Sequence, residues 1–145
     1  MKKLSYLITV LLLVLITFVI LSQKPQKAKV VLDNRDFYLV VSNSFAARQK
    51  GLANLKSLPH NEGMLFIFDN KEVQHFWMKD TYIPLQIIFI DGCEIIEIKE
   101  MAVETDPANP QKSYRSSSPA DKAIELNSGS VDKDVIGTKI NELCP

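Results

Sequence analysis

Gly63-Met64-Leu65-Phe66-Ile67-Phe68, then Phe76-Trp77-Met78-Lys79-Asp80-Thr81, then Ile83-Pro84-Leu85-Gln86-Ile87-Ile88-Phe89-Ile90-Asp91 are the stretches whose reading decides the fold. They hold the single tryptophan and four of the seven phenylalanines, so about thirty residues concentrate the aromatic content of the chain. β-Branched and aromatic residues suit a pleated, half-buried surface, and the polar breaks between the stretches read as turns. No common catalytic signature contains such a string. It reads as β-structure first and as a binding surface second.

Working outward, Lys29-Val30-Val31-Leu32 and Phe37-Tyr38-Leu39-Val40-Val41 flank Asp33-Asn34-Arg35-Asp36 as a hairpin or two adjoining strands. Ser42-Asn43-Ser44 offers an N-cap for a short helix from Phe45 to Lys50, and Gly51 is placed to end it. Val73 to Met78 reads as a strand. Leu85 to Ile90 and Glu94 to Lys99 flank the hairpin signal Asp91-Gly92. The first of that pair is almost wholly apolar and is expected to be covered on both faces. Alternation in the second predicts Ile96 and Ile98 on one face, with Ile95 and Glu97 on the other. A loop from Thr105 to Pro119 precedes a strand from Lys122 to Leu126, a short helix beyond Ser130, and a last strand from Lys139 to Leu143. Short strands with one or two short helices predict a mainly β domain, a small antiparallel β-sandwich or barrel.

Residues 4–21 carry no charge, glycine or proline. At about 1.5 Å per residue a helix of that length just spans a hydrocarbon core, and no small-x-small cleavage site follows it. The organisation expected is a membrane anchor or uncleaved signal segment at 1–21, a tether at 22–29 and a single β-rich domain at 30–145. This is a single pass of the cytoplasmic membrane, with the bilayer as partner of residues 4–21 and the domain on the extracytoplasmic side. Lys2, Lys3, Lys24, Lys27 and Lys29 give the first thirty residues +5, and the remaining 12 basic and 17 acidic residues give the rest 12 − 17 = −5. A basic tail beside an apolar run suits an anionic membrane surface. The acidic remainder argues against nucleic acid as partner, since phosphate binding needs clustered positive charge.

Cys93 and Cys144 stand fifty-one residues apart, which is not zinc-ligand spacing. In an exported domain they could form a disulfide; otherwise they are two separate thiols, and spacing alone does not decide. His60 and His75 are the two histidines. No His-x-x-x-His or Asp-x-Asp pattern points to a metal, no Gly-x-Ser-x-Gly elbow to a nucleophile, and no Gly-rich loop to a phosphate. No cofactor or metal is therefore expected, and catalytic residues stay unassigned. Alternation predicts Phe76 and Met78 on one face of the aromatic segment and His75, Trp77 and Lys79 on the other. One set enters the core. The other offers an aromatic platform edged by a cation, suited to a small polar molecule, a glycan or a protein partner. His75, Trp77, Lys79 and Asp80 are the ligand-binding candidates. An enzyme acting through His75, Asp80 and Glu125 on an envelope substrate, and a structural subunit of a membrane complex, are the alternatives.

These motifs resemble a known family. From Phe37 to Leu143 the chain resembles the domain of unknown function DUF 192. The matching residues are Arg48-Gln49-Lys50-Gly51-Leu52, Leu58-Pro59, Glu62 to Phe68, Phe76 to Thr81, Ile83-Pro84-Leu85, Phe89 to Gly92, Ile124-Glu125-Leu126 and Gly129. The resemblance implies a compact, mainly β, sandwich-like domain, often exported or membrane-tethered, and carries no established activity. The chain departs from the family pattern at Ala53, where methionine is usual, at Gln86, where aspartate is usual, and at Thr138, where an acid is common. It also lacks cysteines often present in the middle loop. An amide in place of a carboxylate keeps a hydrogen-bonding shape and loses the charge. That shifts the expectation toward a binding or structural role.

Overall fold

The structure, a computed structural model, describes residues 6, 10–15 and 25–144. The segment expected to anchor the chain thus lies mostly outside the described residues. Those of its residues that are described are helical and exposed. Among the described residues no helix is long and apolar enough to cross a membrane.

Two turns set the hairpins. Strand β1 (Lys27–Leu32) pairs antiparallel with β2 (Arg35–Ser42), and Asp33 and Asn34 between them both take positive φ, the conformation that matches a two-residue turn to strand twist. β1 takes in Lys27 to Lys29, residues assigned above to the tether: Lys27 pairs with Val40, and the Gln26 carbonyl accepts from Val41 N–H. Next comes α1 (Phe45–Lys50). The Ser44 hydroxyl accepts from Ala47 N–H, and Gly51, at φ 49°, closes the helix by donating to the Ala47 carbonyl. Strands β3 (Glu62–Glu72), β4 (His75–Phe76), β5 (Leu85–Asp91), β6 (Glu94–Met101), β7 (Tyr114–Arg115) and β8 (Ala120–Asn127) follow.

Six of the strands form one sheet in the order β1-β2-β3-β8-β5-β6, while β4 and β7 make a separate two-stranded arm. The expectation of a small antiparallel β-sandwich or barrel is corrected to one mixed six-stranded sheet: β2 and β3 run parallel, because α1 and the chain after it carry the backbone back to the same end of the sheet before β3 begins. β8, late in the chain, inserts between β3 and β5.

Apolar side chains cover both faces. One cluster gathers Val30, Phe37, Leu39, Leu65, Ile88, Ile98, Ile124 and Leu126 from all six strands, closed by Val131 and Ile140. The other sets Phe66, Ile87, Phe89 and Ala123 beneath Leu52 and Met78. β5 is buried from Leu85 through Ile90, as its apolar run predicts. The simple alternation expected for β6 fails at its start. Ile90 opposes Ile95 whereas Phe89 opposes Glu97, so a bulge adds one residue and puts Ile95 and Ile98 in the same cluster, with Ile96 against the other.

The C-terminal segment lies along β6. Gly137 N–H donates to the Ile95 carbonyl at 2.8 Å and Ile140 N–H to the Cys93 carbonyl at 2.9 Å. The last strand expected at Lys139 to Leu143 shrinks to one bridge, Lys139 to Glu94, followed by a 3-10 turn at Asn141–Leu143. The turn lets Leu143 pack on the first cluster and brings Cys144 back to the β5–β6 turn, where a disulfide joins it to Cys93. The expected short helix beyond Ser130 is a 3-10 turn at Lys133–Val135, and the Thr138 hydroxyl donates to the Val135 carbonyl at its end. In the chain-entropy picture a crosslink over this loop is worth about 4 kcal/mol. Thiol counting on the denatured, unreduced protein should find no free cysteine. Two reactive thiols would contradict the crosslink.

Candidate functional site: a cleft over a buried carboxyl

Central strands in a sheet are the most deeply buried, and β8 is central. Glu125 on β8 sits between Met64 of β3 and Ile87 of β5, on the face that carries Phe66 and Phe89. Its residue surface is only 4% exposed, and its Oε2 has no hydrogen-bond partner among the described residues. Burial pushes the carboxyl up to about 8, because the charged form loses hydration and no cation or donor replaces it. At neutral pH it is mostly protonated, an uncharged group that can both donate and accept.

Glu125 Oε2 is itself buried, but the residue borders open space. It lies at the base of a cleft of about 820 Å³. One wall is α1 and its end, from Phe45 to Leu52; another is the far half of β3; the arm strand β4 with Trp77, Lys79 and Thr81 and the loop 110–113 complete it. Gly51 lies beside the carboxyl: a Cβ there would stand in ordinary contact, 3.8 Å from Glu125 Oε2 and 3.7 Å from the Phe66 ring. The residue that ends α1 with a positive φ thus also borders the carboxyl.

The arm is held by one aromatic anchor. The Phe76 ring meets Phe66 at 5.1 Å, Phe89 at 5.8 Å and Phe68 at 6.2 Å, all edge to face. Gln74 fastens it further. Its N–H donates to the Ser116 hydroxyl, its carbonyl accepts from Ser116 N–H, and its side-chain amide donates to the Ala120 carbonyl at 2.9 Å. The expected strand from Val73 to Met78 is reduced to His75–Phe76, since β7 offers partners only at Tyr114 and Arg115. The alternation expected across the segment nevertheless appears: Met78 is fully buried and Phe76 packs on the core, while His75, Trp77 and Lys79 point outward. Trp77 is 51% exposed, so it is a cleft wall and not a second core layer.

Of the residues singled out from sequence, His75, Trp77, Lys79 and Glu125 line this one cleft, and Asp80 does not. Asp80 serves the chain through its backbone. At φ 51° its N–H donates to the Pro107 carbonyl and its carbonyl accepts from Asn54 N–H, tying two loops to the arm. Arg48, Lys50 and Lys112 are cleft residues that sequence reasoning did not single out. Arg48 and Lys50 belong to the Arg48-Gln49-Lys50-Gly51-Leu52 motif, which was the available signal; nothing in the sequence marks Lys112. Arg48 is largely committed within the protein: it donates to the Asn43 and Ile67 carbonyls and to Asp69 Oδ2 at 3.0 Å, and lies over the Phe68 ring. Lys50, Lys79 and Lys112 form no ion pair among the described residues. Counting Arg48, Lys50, Lys79 and Lys112 against Asp69 and Glu72, with Glu125 neutral, leaves the cleft at 4 − 2 = +2, within an acidic domain.

Among the described residues no three His, Cys, Asp or Glu side chains converge to hold a metal ion. Gln86, where the family usually has aspartate, lies on the opposite face of the sheet. Its amide donates to the Val131 carbonyl at 2.9 Å and to Glu100, and accepts from Val131 N–H at 3.0 Å. It clasps the chain beyond β8 to β5 and takes no part in the cleft.

The fold and the cleft define a class: a mixed-sheet β-domain with a pocket over a buried carboxyl. The chain belongs to the family DUF192, described as an uncharacterized ACR, which matches residues 28–141. Among solved structures it is similar to a Sinorhizobium meliloti 1021 protein provisionally described as a transcription regulator. That protein is 26% identical, with a TM-score of 0.68 over 82% of this chain and 94% of the other. A Novosphingobium aromaticivorans DSM 12444 protein of unknown function shares the fold at 24% identity, with a TM-score of 0.60 over 74% of this chain and 84% of that one. No curated protein matches the chain.

Proposed function

We propose that this chain is a membrane-tethered, extracytoplasmic binding module that holds a small polar ligand in the cleft above Glu125 and performs no catalysis. The observation that carries the reading is Glu125 on the lining of an open cleft, buried and with its Oε2 unpartnered among the described residues. A buried polar atom without a partner is costly, and a ligand hydroxyl or carbonyl supplies what the fold withholds. The uncharged, basic-flanked run at 4–21 supports the tether. The Cys93–Cys144 disulfide supports the extracytoplasmic side, since such bonds persist in oxidising compartments. The provisional label of the Sinorhizobium protein suggests nucleic acid, but a remainder of net charge −5 lacks the basic footprint that phosphates need.

Thermal unfolding against a panel of sugars, cell-wall fragments, peptides and small acids tests the reading. A ligand present at a hundred times its Kd should stabilise the fold by about 2.7 kcal/mol, a rise on the order of 10 °C. Trp77→Ala should fold, because the side chain is half exposed, and should lose most of that rise. A ligand that stabilises Trp77→Ala as strongly as the parent would place binding elsewhere.

A further inference from the structure

The cleft has a chemical bias that the binding reading leaves open, and the inference here rests on that reading. Its lysines are exposed, whereas Glu125, whose Oε2 has no partner among the described residues, is buried. Lys50, at the end of α1, and Lys79, on the arm, are exposed, and with Lys112 of the facing loop they come from three separate segments. None is ion-paired among the described residues. Glu125 is a buried part of the same lining, and the half-exposed Trp77 forms part of the wall. A cationic ligand would meet two excess positive charges before reaching the carboxyl. A purely apolar ligand would leave the Glu125 oxygen unsatisfied.

We infer that the cleft takes a hydroxylated ring bearing a carboxylate, a sugar acid, with its carboxylate among Lys50, Lys79 and Lys112, its ring against Trp77 and a hydroxyl on Glu125. Lysine ammonium groups bind a carboxylate as point charges and need no fixed fork geometry, which suits three flexible side chains on separate segments. Ring C–H faces pack on indole while hydroxyls reach polar partners at the base. A volume of about 820 Å³ lies within the range of small-molecule sites and leaves room for more than one sugar ring.

Three sugars of one skeleton and different charge test this on the full chain in detergent: galacturonate, galactose and galactosamine. Trp77 is the single tryptophan, so its emission reports on the cleft wall, with calorimetry alongside as a readout independent of fluorescence. The expected result is saturable binding of galacturonate, at least about tenfold weaker binding of galactose, and none of galactosamine, a tenfold step corresponding to one good charge contact. Lys79→Glu, an exposed change compatible with folding, should weaken galacturonate by at least about tenfold. Trigalacturonate in the same titration distinguishes a polymer end, bound more tightly than the monomer, from a free sugar acid, and binding of either supports the inference. Preference for galactose or galactosamine overturns the anionic class while leaving the cleft a binding site. Absence of binding by all of these sugars overturns the sugar-acid assignment, and the thermal panel then decides separately on the binding reading.

Discussion

Between about pH 5 and 8 the domain is expected to lose stability steadily, and Glu125→Gln is expected to abolish most of that loss. The folded-state carboxyl titrates near 8, whereas in the unfolded chain it titrates near 4.5. Below 4.5 both states hold the proton, so Glu125 imposes no charge penalty there. Across the window between the two values the unfolded state binds fewer protons than the folded one, and stability falls with rising pH. Above 8 the penalty is complete, roughly 3–5 kcal/mol at about 1.4 kcal/mol per unit. Glutamine keeps the shape without the charge, so at pH 8 the variant should unfold on the order of 10 °C above the parent, and at pH 4.5 the gap should nearly close. Glu97 runs the opposite way without obscuring the test. Burial raises it, but bonds from Ser117 and Lys99 outweigh burial and hold it below the usual carboxylate range. Its contribution is present above 4.5 and lost only as pH falls further. A parent melting temperature flat from pH 5 to 8 would mean that Glu125 is ionised with a partner in the folded protein.

Gly63→Ala is expected to be the most damaging single-atom addition in the chain. Gly63 lies in β3 beside β8, and a Cβ there would stand 2.6 Å from Leu126 Cδ2, 3.1 Å from Leu39 Cδ2 and closer still to the Glu125 carbonyl oxygen. The leucine tips can shift. The carbonyl cannot, because it belongs to the backbone of the central strand. Overpacking of a core costs about 1–3 kcal/mol, and a backbone clash belongs at or above the upper end of that range. Chemical denaturation should show a lower midpoint by an amount matching at least about 3 kcal/mol, or no cooperative transition at all. Gly92→Ala is the control for glycine as such. Nothing stands within 4 Å of its Cβ position, so only the positive φ of 62° opposes it. If Gly63→Ala were no worse than Gly92→Ala, the close approach of β3 to β8 would be wrong.

The damage at Gly63 would also be functional, since the carbonyl it presses on belongs to the residue at the base of the cleft. Displacing β8 moves Glu125 relative to Phe66 and Gly51. A destabilised but folded Gly63→Ala protein is thus expected to lose ligand affinity beyond what its unfolded fraction explains.

Much of the local structure was legible in the residues. Asp33-Asn34 and Asp91-Gly92 marked the two hairpin turns because few residues accept positive φ. Ser44 and Gly51 bounded α1 because helix ends must satisfy exposed backbone groups. The outward set His75, Trp77 and Lys79 followed from the twofold repeat of a strand, which holds even where only His75 and Phe76 pair. The same rule failed at Ile95, because a bulge is a tertiary accommodation of two strands with no marker in either. Asp80, named a ligand candidate from the same segment, lies outside the cleft lining, and its backbone ties two loops to the arm, which no local sequence signal announces.

By itself the sequence determined the hairpins, α1, the apolar run at its start, the aromatic segment and the family, all set by contacts among near neighbours or by composition. Only the tertiary structure decided that β2 and β3 run parallel, that β8 enters between β3 and β5, and that Glu125 is therefore buried, its Oε2 without a partner among the described residues, in a cleft also lined by lysines from three distant segments. The physical reason is that strand order is chosen by the burial of whole faces. Ile124 and Leu126 must lie among Leu39, Leu65 and Ile88, and placing them there turns Glu125 toward the opposite face, beside Gly51 and the cleft.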